Sequence, residues 1–533
     1  VQAAERIIIS FAALERSISI QSLETYARTG EVESDLAPYL NYLTEEQCDR
    51  LRELLQTPAD LSPVAVSQFL YTDQGEILLE RLGAIIKTES HQSGFYALRS
   101  ALILAAADPD EGLTPLNILQ QFPLSGIRVD VEETLQILGD LEHLINQTAN
   151  AIDMIEAQAH REATRMPSTD WQTLPNLEDS GDLGYTMRTI TLADRTRDRI
   201  FLADVYLPVP PNHSDLAVSP APVVIISHGL GSDRTTYAYL AKHLVSYGFA
   251  VVLPEHPGSN ADQLQALVQG RANEVTNPSE FIDRPLDIQF LLDDLEDRNQ
   301  HDPWFLGHLD MNRVGILGQS MGGYTALTLS GAQLDLDTLK QNCDVEDSLN
   351  LSLLLQCRAL ELPRQEILQT SLQDPRIRAA IAINPIGSSI LGPNGFADIH
   401  NPVMIVSGNA DTVAPALLEQ IEPFTWLNTP DKYLMLMRGG THFSTLGMTS
   451  TGSEVVLLPP DIVGPDPSIA QRYIEAMSTA FFKTYVASES GYESFLGADY
   501  ANQISESNLP LRLIQQLDAD QLAQALKLRG DRT

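Results

Sequence analysis

The chain has 533 residues, of which 34 are Lys or Arg and 71 are Asp or Glu, giving a formal charge of −37. So acidic a body is repelled by phosphate, which argues against nucleic acid and anionic membrane surfaces as partners. No stretch approaches the ~18 apolar residues that a transmembrane helix needs. Apolar residues make up 43% and charged residues 20%, an ordinary globular composition with room for roughly two to four domains. The three cysteines, Cys48, Cys343 and Cys357, are too few for a disulfide scaffold and lack the paired spacing of a zinc site. Cys343 and Cys357 are close enough in sequence to close a small loop, and two buried thiols are the equal alternative. The chain starts at Val1, which fits processing of a longer precursor. A removed signal peptide would place it in an oxidising compartment, secreted or periplasmic.

From the N-terminus, residues 1–160 read as an all-helical accessory domain. Thr44-Glu45-Glu46-Gln47 has the capping-box form, and Pro115 after Thr114 suits the first turn of another helix. Val131, Leu135, Leu138, Leu141, Leu144, Ala149, Ile152 and Ile155 recur every three or four positions, the pattern of one long amphipathic helix. Residues 161–183, with Met166-Pro167-Ser168 and Pro175-Asn176 through Gly181-Asp182, are rich in chain breakers and predict a linker.

Beyond it, over 184–490, the pattern changes. Apolar runs at Ile200–Leu207, Val223–Ser227, Ala250–Leu253, Val314–Leu317, Ala379–Ile383, Val403–Ser407 and Tyr433–Met437 alternate with helical stretches. Short buried runs spaced by helices predict an α/β domain, with a mostly parallel sheet covered on both faces. Residues 331–376 read as a helical, lid-like insertion, and 448–467 as a Gly/Pro-rich interruption. Gln471–Tyr485 reads as a last helix, and 491–533 as a polar C-terminal tail.

The strongest chemical signal is Gly318-Gln319-Ser320-Met321-Gly322, after the run Val314–Leu317 and before an apolar stretch of helical length. A G-x-S-x-G turn between strand and helix lifts the Ser hydroxyl above the sheet and aims the first helical N–H groups at the same point. Serine needs a base to take its proton. Among eleven His, His442 stands apart, because Arg438-Gly439-Gly440-Thr441-His442 follows the strand Tyr433–Met437. The base in turn needs an acid to orient it. Asp411 follows the strand Val403–Val406, whereas Asp431 precedes its strand and so falls at the opposite end of the sheet. The succession Ser320, Asp411, His442 is that of the α/β-hydrolases. A developing oxyanion needs preset donors: the Met321 N–H, and the Leu230 N–H in Ser227-His228-Gly229-Leu230-Gly231. His228 reads as a brace for that loop. His256, after the next strand, and Tyr237 are candidates for the pocket wall.

The segment Val223–Gly258, with Ser227-His228-Gly229-Leu230-Gly231 and Glu255-His256, resembles the oxyanion-loop region of platelet-activating-factor acetylhydrolases. It is equally similar to dienelactone-hydrolase-related and cutinase-like polyester hydrolases, as is Arg284-Pro285-Leu286-Asp287-Ile288. The resemblance, over about 185–485, implies the α/β-hydrolase fold, ester hydrolysis without a cofactor, and the roles given above for Ser320, Asp411, His442, Leu230 and Met321. The first 160 residues resemble a helical domain of unknown function that precedes such hydrolases in cyanobacterial proteins, which implies export through a signal peptide. A small-molecule or lipid ester is the expected substrate, in an esterase, a lipase or phospholipase, or a polyester hydrolase. The rival from another class is a catalytically silent hydrolase-fold protein, with the acidic N-terminal domain binding a partner of unknown identity.

Overall fold

The protein is described by a computed structural model over residues 4–11, 14–59, 61–165, 169–210, 219–344, 350–365, 370–447, 464 and 466–527. The chain divides into two compact units. One holds the chain up to Leu144 together with Leu264–Val275, and the other holds Ile145–Gln263 and most of the chain from Thr276 onward. The division falls inside the long helix Val131–Arg165, ahead of the 161–183 stretch read as a linker.

The first unit is rich in helix but is not all-helical. β1 (Arg6–Phe11), β2 (Leu14–Ser19), β3 (Ile86–Thr88) and β4 (Gly126–Asp130) form a sheet in the order β2-β1-β4-β3. β1 pairs parallel to the distant β4 and antiparallel to β2. The β-branched run Ile7-Ile8-Ile9 suits a strand, but too short a run cannot be told from helix by periodicity alone. The capping box forms, with Gln47 N–H donating to Thr44 Oγ1 at 3.2 Å and Thr44 N–H to Gln47 Oε1 at 2.8 Å. Thr114 caps the helix Pro115–Gln120 through the Asn117 N–H. A core of Ile20, Leu70, Leu79, Leu98, Phe122 and Ile127 closes the unit. On the long helix Ala151, Ile152 and Ile155 are buried; the side chains of Val131, Leu135, Leu138 and Leu141 lie outside the described residues.

Among the described residues the second unit is built on nine strands: β5 (Gly184–Asp194), β6 (Arg199–Val209), β7 (Ala221–Ser227), β8 (Ala250–Pro254), β9 (Leu309–Gln319), β10 (Ile377–Ile383), β11 (Val403–Gly408), β12 (Lys432–Met437) and β13 (Leu511–Ile514). Their order is β13-β12-β11-β10-β9-β7-β8-β6-β5. Pairing from β8 through β7, β9, β10 and β11 to β12 is parallel, and β6, β5 and β13 add antiparallel strands at the two sides. All seven apolar runs read from the sequence are strands. In β7, Val224 and Ile226 enter a core cluster that also takes Leu240, Leu244, Phe481 and Phe482, while Val223 and Ile225 are fully buried outside it. Successive strand residues face opposite sides, so the sheet is covered on both faces.

Two boundaries differ from the sequence reading. Residues beyond 490 are not a plain tail, because β13 pairs with β12 and the helix Ala498–Ile504 buries Tyr500 and Ala501 in the main core. The stretch read as a linker is packed over its later part: Trp171 stacks at 5.6 and 5.0 Å on Phe495 and Tyr500, and Leu177 is fully buried. Breaker-rich composition marks irregular backbone but does not say whether that backbone is docked. The insertion carries the helices Leu336–Cys343 and Leu351–Cys357, joined by a Cys343–Cys357 disulfide. The Gly/Pro-rich segment lies almost wholly outside the described residues.

One titration is set by this packing. Glu475, on the helix Pro467–Tyr485, is pushed up to about 7, first by burial and further by the Glu178 carboxylate, against the pull of Arg472. His243 Nδ1 lies 4.0 Å away and is itself held down to about 4 by burial. The folded protein therefore binds the Glu475 proton more tightly than the unfolded chain does. Its stabilising contribution is complete below the ordinary carboxylate range and is lost as pH rises through about 7. Measured against Glu475→Gln, the wild-type melting temperature should fall as pH rises from the ordinary carboxylate range to about 7, because the opposing contribution of the buried His228, His243 and His256 is common to both proteins. A variant with the wild-type slope would show that Glu475 does not titrate in this window.

Candidate active site

The strand order reverses at the centre of the sheet. β7 lies beside β9, and the next strand, β8, adds on the far side of β7. Such a reversal is the topological switch point at whose strand carboxyl ends open α/β sheets bind ligands. Ser227-His228-Gly229 leaves β7 and Ser320 leaves β9, so both sequence-predicted loops reach this point.

Ser320 sits between β9 and the helix Met321–Leu329 with φ +56° and ψ −118°, a conformation costly for any residue with a Cβ. The surrounding turn enforces it. A Cβ on Gly318 would lie 2.0 Å from the Gly322 carbonyl oxygen, and one on Gly322 would lie 2.1 Å from the Ser227 carbonyl oxygen. Both glycines are thus required by close backbone approach. Ser320 N–H donates to Ile383 O at 2.9 Å. Met321 opens the helix, where the first N–H groups have no intrahelical acceptor and favour negative charge.

Asp411 and His442 lie on the loops after β11 and β12, both buried. Asp411 Oδ1 accepts the Val413 and Ala414 N–H groups at 2.8 and 2.7 Å, and Oδ2 lies 2.7 Å from His442 Nδ1. An ionised carboxylate can only accept, so Nδ1 carries the proton and Nε2 is left as an acceptor. Two amides anchor the His442 loop to the serine side. Gln319 Nε2, next to Ser320, donates to His442 O at 3.1 Å. Asn384, just past β10, donates to Thr441 O at 3.0 Å and accepts the Gly408 N–H at 3.1 Å. The structure thereby brings the turn of Ser320 and the Asp411–His442 pair to one sheet end. Asp431 precedes β12, at the other end.

Leu230 lies in the loop after β7. His228 braces that loop: His256 N–H donates to its Nε2 at 3.1 Å, so the proton is on Nδ1, which donates to Gly229 O at 2.8 Å. Burial, reinforced by the neighbouring Arg284 charge, holds His228 down to about 3, neutral across the working range. The expectation that His256 and Tyr237 line the pocket does not hold. His256 is fully buried between Ser227 Oγ at 3.0 Å and Asp287 Oδ2 at 3.3 Å, and burial pushes it well below the usual imidazole range. Tyr237 is buried with its hydroxyl 2.9 Å from Thr445 Oγ1. A side chain enclosed by its own fold has no surface to offer a ligand.

Sequence reasoning missed the support beneath this end. Glu419 is buried, with its carboxyl pushed up by that burial. Its Oε2 accepts the Gly387 and Ser388 N–H groups, and its Oε1 accepts from Gln356 Nε2. Gln356 belongs to the insertion, and its Oε1 accepts the Ser389 and Ile390 N–H groups. The loop so held donates Ile386 N–H to Ser320 O. No local motif marks Gln356 or Glu419.

Two family matches cover parts of the chain. Residues 3–130 match a family described as "alpha/beta hydrolase of unknown function", and residues 158–289 match "platelet-activating factor acetylhydrolase, isoform II". The second match ends ahead of Ser320. Among curated relatives, a platelet-activating factor acetylhydrolase of Cavia porcellus is 22% identical over 321 residues, covering 54% of this chain and 64% of the relative. Another from Bos taurus is 22% identical over 285 residues, covering 51% and 59%. Cutinase 2 of Thermobifida cellulosilytica is 20% identical over 280 residues, covering 51% and 71%. The alignment thus spans less than two thirds of each acetylhydrolase.

Proposed function

We propose that this chain, an α/β-hydrolase of the platelet-activating-factor acetylhydrolase type, is a serine carboxyl-ester hydrolase working through an acyl-enzyme. Ser320 Oγ attacks the ester carbonyl carbon while His442 Nε2 takes its proton. The carbonyl oxygen becomes an oxyanion, held by the Leu230 and Met321 N–H groups. As the C–O bond breaks, His442 gives the proton to the leaving alcohol. Water then attacks the acyl-enzyme with His442 as base, the acid departs, and the proton returns to Ser320 Oγ. Asp411 orients His442 and stabilises its cationic form. The observation that carries this reading is the 2.7 Å His442–Asp411 bond, on loops tied to the strained Ser320 turn.

Acetylhydrolases and cutinases among the relatives support a small-molecule or lipid ester as substrate, with a lipase, phospholipase or polyester hydrolase as the finer alternatives. Among the described residues no helix is long and apolar enough to cross a membrane. The Cys343–Cys357 disulfide supports a secreted or periplasmic, oxidising compartment.

Labelling with a fluorophosphonate probe and mapping of the adduct tests the reading. An adduct on Ser320 that is lost in His442→Ala is the expected result. No adduct on the folded wild-type protein would favour a silent hydrolase-fold binding protein instead.

A further inference from the structure

One arginine has no place in the chemistry above, yet it lies under the loop that carries Leu230. Arg284, on the helix Glu280–His301, is a fully buried guanidinium. Its Nη1 donates to His228 O at 2.7 Å, and its Nη2 reaches Gly229 O at 3.5 Å and Ser259 O at 3.3 Å. Its Nε donates to Ser259 Oγ at 2.8 Å, which in turn donates to Glu280 Oε2 at 2.6 Å. Ser259 O also accepts the Gly231 N–H at 2.9 Å. The guanidinium therefore holds the two carbonyls that precede Leu230, and its partner Ser259 holds the amide that follows it.

The consequence comes from the planar peptide. In a trans peptide the C=O of one residue and the N–H of the next point in opposite directions within one rigid plane. The Gly229 oxygen is held by His228 Nδ1 at 2.8 Å, by Ser232 N–H at 3.3 Å and by Arg284. Fixing that oxygen inward toward Arg284 fixes the Leu230 N–H outward, away from it. Burying a cation is costly, and here the Glu280 carboxylate at 3.9 Å and Asp287 offset that cost.

We propose that Arg284 is a positioning residue for the oxyanion donor, setting the plane of the Gly229–Leu230 peptide through its grip on the His228 and Gly229 carbonyls. The inference rests on the ester-hydrolase reading and names a residue that reading does not use. Arginine is required because its planar fork reaches several acceptors at once, whereas lysine offers a single point charge.

The test compares kcat/KM for an aryl ester with that for its thionoester, in which C=S replaces C=O. A well-aimed N–H pair favours the oxyanion over the larger, weaker-accepting sulfur. A variant that misdirects one donor therefore loses the ester reaction more than the thionoester reaction. Arg284→Lys should lower kcat/KM for the ester by about ten- to a hundredfold, with most of that loss seen in the ester-to-thionoester ratio. Ser259→Ala keeps the guanidinium but removes the hydroxyl that orients Nε, and should shift the ratio the same way by a smaller factor. If Arg284→Lys fails to fold, Ser259→Ala decides alone. Equal losses for the two substrates, or no loss in a folded variant, would overturn the positioning role. A wild-type protein inactive on both substrates would overturn the ester-hydrolase reading itself, and this inference with it.

Discussion

Replacing Ser320 by Ala is expected to lower kcat on a nitrophenyl ester by about a millionfold, the scale seen when the nucleophile of a serine triad is removed. The same change should leave the melting temperature almost unaltered. Alanine keeps the Cβ and therefore keeps the strain of a residue held at φ +56° and ψ −118°. Ser320→Gly separates the two effects. It should be equally inactive, yet glycine adopts this conformation without penalty, so relief of about 1–3 kcal/mol of strain outweighs the ~0.5–1 kcal/mol of added chain entropy. A glycine variant at least as stable as wild type is the expected outcome in thermal unfolding. A clear loss of stability would mean that the turn is not strained at Ser320. Activity retained in either variant would remove Ser320 from the chemistry.

Asp411→Asn should cost about ten-thousandfold in kcat at neutral pH while the fold persists. The reason lies in how Asp411 is held. Its Oδ1 takes the Val413 and Ala414 N–H groups, and an asparagine would keep its carbonyl oxygen there, because only an acceptor fits. Its amide NH2 would then face His442 Nδ1, the atom that Asp411 Oδ2 meets at 2.7 Å. The imidazole would shift its proton to Nε2 and could no longer accept one from Ser320. The protein should still melt near the wild-type temperature, since shape and most hydrogen bonds are kept. A loss below about tenfold would show that His442 is oriented by some other group.

Much of this was legible in the sequence because it is local. Gly318-Gln319-Ser320-Met321-Gly322 specifies its own turn, since each glycine answers a steric demand within a few residues of Ser320 or from the adjoining β7 loop. Asp411 and His442 could be chosen because each follows an apolar run, and a parallel sheet puts all such carboxyl ends on one side. The capping box at Thr44 and Gln47 is local in the same sense. The losses share one cause as well. β1 becomes a strand by pairing with β4, and β13 by pairing with β12, so neither run reveals its partner by its own pattern. His256 and Tyr237 follow or adjoin site loops in sequence, yet they turn inward to Ser227, Asp287 and Thr445.

Short-range sterics and the spacing of short apolar runs by helical stretches, both written into the sequence, suffice for three features. These are the sheet-and-helix alternation of the second unit, the strained turn at Ser320, and the succession of Ser320, Asp411 and His442. The groups that support them are a matter of the folded chain. Arg284 reaches the His228 carbonyl from a helix more than fifty residues on, Gln319 catches the carbonyl of His442, and Glu419 with Gln356 holds the loop beside Ser320. A buried polar group must find partners wherever folding brings them, and that pairing depends on three-dimensional proximity that no stretch of sequence contains.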